Sequence, residues 1–365
     1  MRMFWYLFVF NLYGENWMFE IILMCILLVV SLLIVIKAAD LFVDHIVEIG
    51  TALGVSQILL GVTAAAIGTS LPEFGSALIA SLGGNADMGV GVVIGSNIWN
   101  VAGILGITAT VTGLVQADKK SINRDGLMAI VTGVVLLAFM LFGYFTGQLF
   151  ISGFGSVVMI VFYIYYMRIL VKDQEKAQKD KVKKLPNSEE NIIKSKDIEK
   201  IDEISNKALE KRKSIKKKSI LFTILGIIGL AIGCQLLITS ASSLASTFGI
   251  PPAIMGLFTL SIGTSIPELV VTLSSAIKGL HDISMGTVFG SVTFNILIGI
   301  GIPALLVAIP IDYLSLYFDA PVMIGVTAGT LLLMKFNGNK LNRFSGIILM
   351  IVYVLYAFLR IFVLG

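Results

Sequence analysis

Residues 67–73 read IGTSLPE, and residues 262–268 read IGTSIPE. The offset is 195 residues, and the same offset relates GSNIWN at 95–100 to GSVTFN at 290–295, so nothing is inserted or deleted between the two motifs in either copy. Gly54 and Gly249, Gly61 and Gly256, Gly84 and Gly279, Asp87 and Asp282, and Gly91 and Gly286 keep the same register. Self-similarity at a fixed spacing marks a duplicated architecture. The chain is therefore two copies of one unit.

What surrounds the motifs identifies the unit. Of 365 residues, 56% are hydrophobic and only 14% charged, with a mean hydropathy of +0.93. Soluble chains average about 45–50% apolar and about 25% charged residues, so a soluble enzyme, a nucleic-acid binder and a disordered scaffold are excluded. The net charge of +4 is unevenly spread: residues 172–218 hold 16 of the 27 Lys and Arg and 10 of the 23 Asp and Glu. Two membrane blocks joined by one polar loop account for this pattern. The expected organisation is an apolar extension at 1–18, a first five-helix repeat at 19–171, a basic loop at 172–218 and a second, inverted five-helix repeat at 219–365.

A helix spans the hydrocarbon of a bilayer with roughly 20 apolar residues and satisfies its own backbone there. Ten segments qualify, at 19–38, 56–82, 88–114, 126–145, 148–171, 219–241, 252–278, 284–308, 314–334 and 342–363. The expected fold is an all-α membrane protein of ten transmembrane helices. Lys and Arg collect on the cytoplasmic side. With the 172–218 loop there, alternation places Lys37, Lys119, Lys120, Arg124, Arg168, Lys278, Lys335, Lys340 and Arg343 on the same face, 25 of the 27 basic residues in all. Both termini then face outward, with Arg2 and Arg360. The copies lie five spans apart, an odd number, so the second enters the membrane upside down. Inverted-topology repeats are typical of secondary transporters, whose site lies near the midplane between the copies.

Three other features are read as secondary. The run MFWYLFVFNLY at 3–13 suits an interfacial segment and lacks a small-x-small cleavage site. Cys25 and Cys234 read as small buried hydrophobes. His45 and His281, the only histidines, fall at loop ends and read as solvated polar residues.

Glu73 and Glu268 are the two acidic residues placed deep within spans, and each is the other's repeat mate. A carboxylate in hydrocarbon is costly and marks a functional site by default. Pro72 and Pro267 directly precede them. Proline has no N–H and clashes with the carbonyl four residues back, which frees carbonyls near Gly68 and Thr69, and near Gly263 and Thr264. With the hydroxyls of Thr69, Ser70, Thr264 and Ser265, the motif offers only oxygen. Such sets suit hard cations, Ca2+ taking six to eight oxygens, and leave soft metals, a cofactor and enzymatic chemistry without support. Mg2+ fits less well because it demands tight octahedral geometry and retains water.

The second motif adds Ser96, Asn97 and Asn100 in one copy and Ser291, Thr293 and Asn295 in the other. Its glycines let helices approach closely. Two glutamates carry at most two negative charges, which one Ca2+ or two Na+ neutralise, and mutually exclusive occupancy is the basis of antiport. Na+/Ca2+ exchange is one reading this charge balance allows. H+/Ca2+ antiport uses the same glutamates. A Ca2+-selective channel would need a continuous pore, commonly lined by rings of acids, and an intramembrane hydrolase would leave the duplicated surroundings of the carboxylates unexplained.

At GTSLPE…GSNIWN and GTSIPE…GSVTFN the chain resembles the cation/calcium exchanger superfamily, in its prokaryotic-type sodium/calcium exchanger branch, across all ten spans. The resemblance implies alternating access, with the first and sixth helices sliding against the remaining bundle. It implies Ca2+ ligation by the Glu73 and Glu268 carboxylates and the Thr69 and Thr264 carbonyls. Flanking Na+ sites would use the two glutamates, the Ala66 and Ser261 carbonyls, and the hydroxyls of Ser70, Ser96, Ser265 and Ser291, while Asn100 and Asn295 would line the centre. Relatives that also require K+ usually carry an acid where this chain has Asn295, which argues against K+ co-transport. Val292 departs from the usual GSN pattern and bears on local helix packing. The expected partners are Ca2+, Na+ and the lipid bilayer, with no nucleic acid, and the chain is expected to function as a monomer. The 172–218 loop lacks an EF-hand pattern. Its basic end before the sixth span, Lys211 to Lys218, would be attracted to anionic lipid.

Overall fold

A computed structural model describes residues 16–52, 67–116, 119, 122–147, 150–151, 153–183 and 217–364. Most of the apolar extension, the first half of the second expected span with Ala66, and the middle of the basic loop lie outside the described residues. The helices are α1 (Asn16–Ala52), α2 (Leu71–Leu82), α3 (Ala86–Thr112), α4 (Ile122–Phe145), α5 (Gly153–Lys183), α6 (Lys217–Phe248), α7 (Pro252–Thr264), α8 (Ile266–Ile277), α9 (His281–Leu306), α10 (Ser315–Phe336) and α11 (Arg343–Val363). Eight are long and apolar enough to cross a membrane, and α7 with α8 forms a ninth span bent by 45°. The expected count of ten is not reached among the described residues, because only the C-terminal part of the 56–82 segment, α2, is described. The expected boundaries hold elsewhere to within several residues, apart from α1, which runs well past residue 38, α5, which runs past 171 to Lys183, and α6, which runs past 241.

A helix that is apolar all round can pack inside the protein or face lipid, and burial tells the two apart. The apolar stretches of α3 and α9 are each 89% buried, against 11% to 39% for the other single helices, so these two form the centre. Small residues let them sit there. A Cβ on Gly91 would lie 2.6 Å from the Ala253 carbonyl oxygen of α7, and one on Gly95 would overlap the Leu257 backbone. We expect Gly95→Val to force α3 and α7 apart and to cost about 1–3 kcal/mol, the usual range for overpacking. Its thermal midpoint in detergent should fall below that of the parent, and an unchanged midpoint would show that the crossing is not tight.

The duplication is visible in the backbone. Gly84 (φ 82°) ends the turn after α2 and Gly279 (φ 75°) the turn after α8, a conformation open to glycine. In both turns an N–H reaches five residues back at 2.8 Å, Asn85 to Ala80 and Leu280 to Ser275. Two short antiparallel pairings then join the halves: β1 (Leu114–Gln116) with β4 (Lys340–Asn342), and β2 (Phe150–Ile151) with β3 (Ile309–Pro310).

α1 and α6 lie antiparallel along much of their length. Gly226, Gly229 and Gly233 of α6 approach Phe42, Ala38 and Val35 of α1 closely enough that a Cβ on each would stand 2.8–2.9 Å from them. Ser219 donates to Glu48 at 2.6 Å where α6 begins. The outer faces of the pair expose large hydrophobic residues such as Phe19, Ile26, Ile224 and Ile228. Cys25 is among the exposed residues, contrary to its reading as buried, because it lies on the outer face of α1; Cys234 is buried as expected. His45 also differs from expectation: it lies within α1, half-buried, with its ring stacked on Phe222 at 4.9 Å and Nδ1 at 2.9 Å from the Leu41 carbonyl.

Two charged clusters stand at the first turns of α4 and α10. Asp125 is held by Arg124 at 2.7 Å and by the Tyr166 hydroxyl of α5 at 3.1 Å, and Arg124 also reaches Asp173 at 3.1 Å. Asp319 accepts from Arg360 Nε at 3.1 Å and from the Tyr356 hydroxyl at 3.0 Å, both on α11. Arg360, read from the sequence as one of two basic outliers on the far face, is 2% exposed because Asp319 compensates its charge.

Candidate functional site

The site forms where both proline-containing breaks meet. Proline suits the first turn of a helix, where its missing N–H costs nothing, and Pro72 and Pro267 each sit there, in α2 and α8. In the second copy the ladder passes from Ser265 N–H to the Ser261 carbonyl and then from Leu269 N–H to the Ser265 carbonyl, with Pro267 between them unable to donate. The axis bends at this point, and Glu268 emerges one residue later at the start of α8. Phe74 N–H bonds the Ser70 carbonyl at 3.1 Å, the same link in the first copy as Leu269 to Ser265 in the second.

The two carboxylates are held crosswise. The Ser70 hydroxyl donates to Glu268 Oε1 at 2.9 Å, and the Ser265 hydroxyl donates to Glu73 Oε1 at 2.7 Å, so each repeat's serine serves the other repeat's glutamate. Glu73 and Glu268 are fully buried and interact electrostatically. The second oxygen of each, Oε2, is buried without a hydrogen-bond partner. Leaving buried polar atoms unpaired is costly, and two acceptors on neighbouring carboxylates define a locus that suits a cation. Thr264 ends α7 at the break and donates its hydroxyl to the Leu260 carbonyl at 2.9 Å, and Thr69 is half-buried and engaged.

The second motif lines the same region from α3 and α9. Ser96 donates to the Ser261 carbonyl at 3.4 Å, and Ser261 donates to the Leu257 carbonyl one turn back. Its repeat mate Ser291 has no partner, and neither end of the Asn100 amide has one. Asn100 stands on a widened turn, Trp99–Ile104, whereas the matching stretch of α9 is interrupted at Ile298–Ile300 after Asn295. Both helices therefore lose regular geometry next to their asparagine. Ser70, Ser96, Asn100, Ser261, Thr264, Ser265, Ser291 and Asn295 are all at 0% exposure, and Ala66 lies outside the described residues.

One contact departs from the repeat. Asn295 bonds Asn97, not Asn100, and Asn97 also reaches the carbonyl of its own repeat position, Val292. The sequence carries the signal for this in the loss of the second copy's asparagine, but not the direction in which Asn97 turns. Among the described residues no three His, Cys, Asp or Glu side chains cluster closely enough to hold a metal ion. The donor set is two carboxylates supplemented by hydroxyl, amide and carbonyl oxygens, the chemistry of a hard cation.

The profile of a family described as "Sodium/calcium exchanger protein" matches residues 23–172 and 218–362. The sodium/calcium exchanger MaX1 of Methanosarcina acetivorans is 29% identical over 347 residues, covering 90% of this chain and 96% of that protein. The inner membrane protein YrbG of Escherichia coli is 30% identical, covering 88% and 92%. Among solved structures, the sodium-calcium exchanger NCX_Mj soaked with 2.5 mM Na+ and 0.1 mM Ca2+ superposes with a TM-score of 0.54 at 25% identity, over 92% of this chain and 97% of that one.

Proposed function

The chain belongs to the sodium/calcium exchanger protein family, and from that membership we propose that it is a secondary active antiporter exchanging Na+ for Ca2+ across a membrane by alternating access. The family is one of multi-pass membrane transporters, not enzymes. The observation that carries the reading is the crosswise pairing of Ser70 with Glu268 and Ser265 with Glu73, with an unpartnered Oε2 left on each glutamate. In the proposed site Ca2+ takes both carboxylates and the carbonyls of Thr69 and Thr264. Na+ takes flanking positions made by the same glutamates, the carbonyls of Ala66 and Ser261 and the hydroxyls of Ser70, Ser96, Ser265 and Ser291, and Asn100 and Asn295 line the centre.

Because the carboxylates are shared, Ca2+ and Na+ exclude one another, and this coupling makes the cycle an exchange. Neutralised by its cargo, the buried pair no longer opposes passage of the occupied site through an apolar environment. The proposed architecture is ten helices in two inverted five-helix repeats, with the basic 172–218 loop cytoplasmic and both termini outside. The moving part is the α1–α6 pair, a reading supported by its lipid-type outer face and its small-residue contacts. Both glutamates come from one chain, so a monomer suffices.

Purified protein in vesicles loaded with Na+ should take up Ca2+ on dilution into Na+-free buffer, and replacing internal Na+ by K+ should remove the uptake. Uptake driven equally by a pH gradient alone would assign H+ as the counter-ion, and large unitary currents without any counter-ion would make the protein a channel.

A further inference from the structure

Three buried amides lie at the centre of the molecule, and only two of them are repeat mates. Asn100 corresponds to Asn295, whereas Asn97 corresponds to Val292. Asn97 Nδ2 donates to the Val292 carbonyl and to Met323 Sδ of α10, both at 3.5 Å, and its Oδ1 accepts from Asn295 Nδ2 at 3.2 Å. All three asparagines are at 0% exposure.

The polarity of this chain of contacts is forced. A backbone carbonyl and a thioether can only accept, so the end of Asn97 that meets Val292 and Met323 is its NH2. The opposite end is then oxygen, and Asn295 has to meet it with its own NH2. What remains of Asn295 is Oδ1, buried and without a partner. One turn earlier on α9, on the same helix face, Ser291 Oγ is likewise unpartnered. Asn100 has no such constraint, since both of its polar atoms are unpaired.

We propose that Asn97 is a positioning residue that locks the Asn295 amide with its carbonyl oxygen toward the transported cations, while Asn100 stays free to turn. The two repeats then contribute unequally: a pre-set neutral oxygen from the second copy and an adjustable amide from the first. A flipped Asn295 would present N–H to a cation, so fixing the orientation removes an arrangement that opposes binding. The proposal rests on the reading of Asn295 as part of the ion site.

The test measures Na+-driven Ca2+ uptake by the purified full chain in vesicles, with half-saturating Na+ and Ca2+ and maximal rate determined separately. Asn97→Val installs the residue that the second repeat already carries at this position. It should raise the half-saturating concentrations about threefold to tenfold, the factor that one ordering hydrogen bond contributes. The maximal rate should stay within about twofold, since ground-state binding is what changes. The decisive comparison is in the Asn295→Asp background. A carboxylate presents oxygen whichever way it turns, so there Asn97→Val should add no further shift. An equal cost in both backgrounds, accompanied by a lower thermal midpoint, would mean that Asn97 only supports packing and would overturn the proposal, as would unchanged half-saturation in Asn97→Val itself. If Asn97→Val does not fold, Asn97→Ser serves in the same two backgrounds. Asn295→Leu separates the underlying site reading: unchanged ion affinities in that variant would remove Asn295 from the site, whereas altered affinities with Asn97→Val neutral would sink the positioning role alone.

Discussion

Glu268→Gln is expected to reduce Na+-driven Ca2+ uptake to the level of protein-free vesicles, and Glu73→Gln to do the same. The glutamine side chain keeps the size of glutamate, and its Oε1 still accepts from Ser70 or Ser265. What disappears is one of only two negative charges in the site and the buried Oε2, replaced by an NH2 that a cation cannot use. A divalent ion would then face a single carboxylate in a low-dielectric setting, where each missing charge counts heavily. The variants should still elute as monodisperse protein with a near-parent thermal midpoint, so that the loss reads as function. Normal uptake by either variant would overturn the site.

The second large effect is structural. Asp319→Asn leaves Arg360, 2% exposed, with its main partner neutralised, and breaking a buried pair from one side costs about 3–5 kcal/mol. Asp125→Asn should cost clearly less. Its partner Arg124 keeps Asp173 at 3.1 Å with its side chain 18% exposed, whereas the second carboxylate near Arg360, Asp312, lies farther off at 3.7 Å and is 35% exposed. Pairing Asp319→Asn with Arg360→Met should recover much of the loss, because replacing both charges removes the desolvation penalty together with the attraction. Thermal midpoints of the four proteins in one detergent provide the measurement. Equal losses at Asp319 and Asp125 would show that Arg360 gains its stability elsewhere.

Several expectations fell short or needed completing because helix faces, helix ends and distant partners are set by tertiary contacts. Cys25 sits in a run apolar on every side, so periodicity could not place it, and it proved to be on the outer face of α1. Arg360 looked like an outlier at the end of a span because nothing near it in sequence compensates its charge; Asp319 lies 41 residues away. Val292 reads in the sequence as a matter of helix packing, and the structure adds that its carbonyl receives the Asn97 amide. His45 reads as a loop-end residue because the strongly apolar run ends near residue 38, whereas α1 continues to Ala52.

The amino-acid sequence by itself determined that the chain lives in a membrane and that it is duplicated at an offset of 195 residues, and it singled out Glu73 and Glu268 as the carboxylates of the proposed site. These follow from transfer free energies and spacings along one chain, which need no knowledge of packing. Tertiary structure alone decided the crosswise serine–glutamate bonds, the burial of Arg360 against Asp319 and the turn of Asn97 toward Asn295. Each joins residues at least 41 positions apart, and most join the two repeats. Such contacts depend on how closely helices cross, and that distance is set where glycines such as Gly91 and Gly95 let backbones meet.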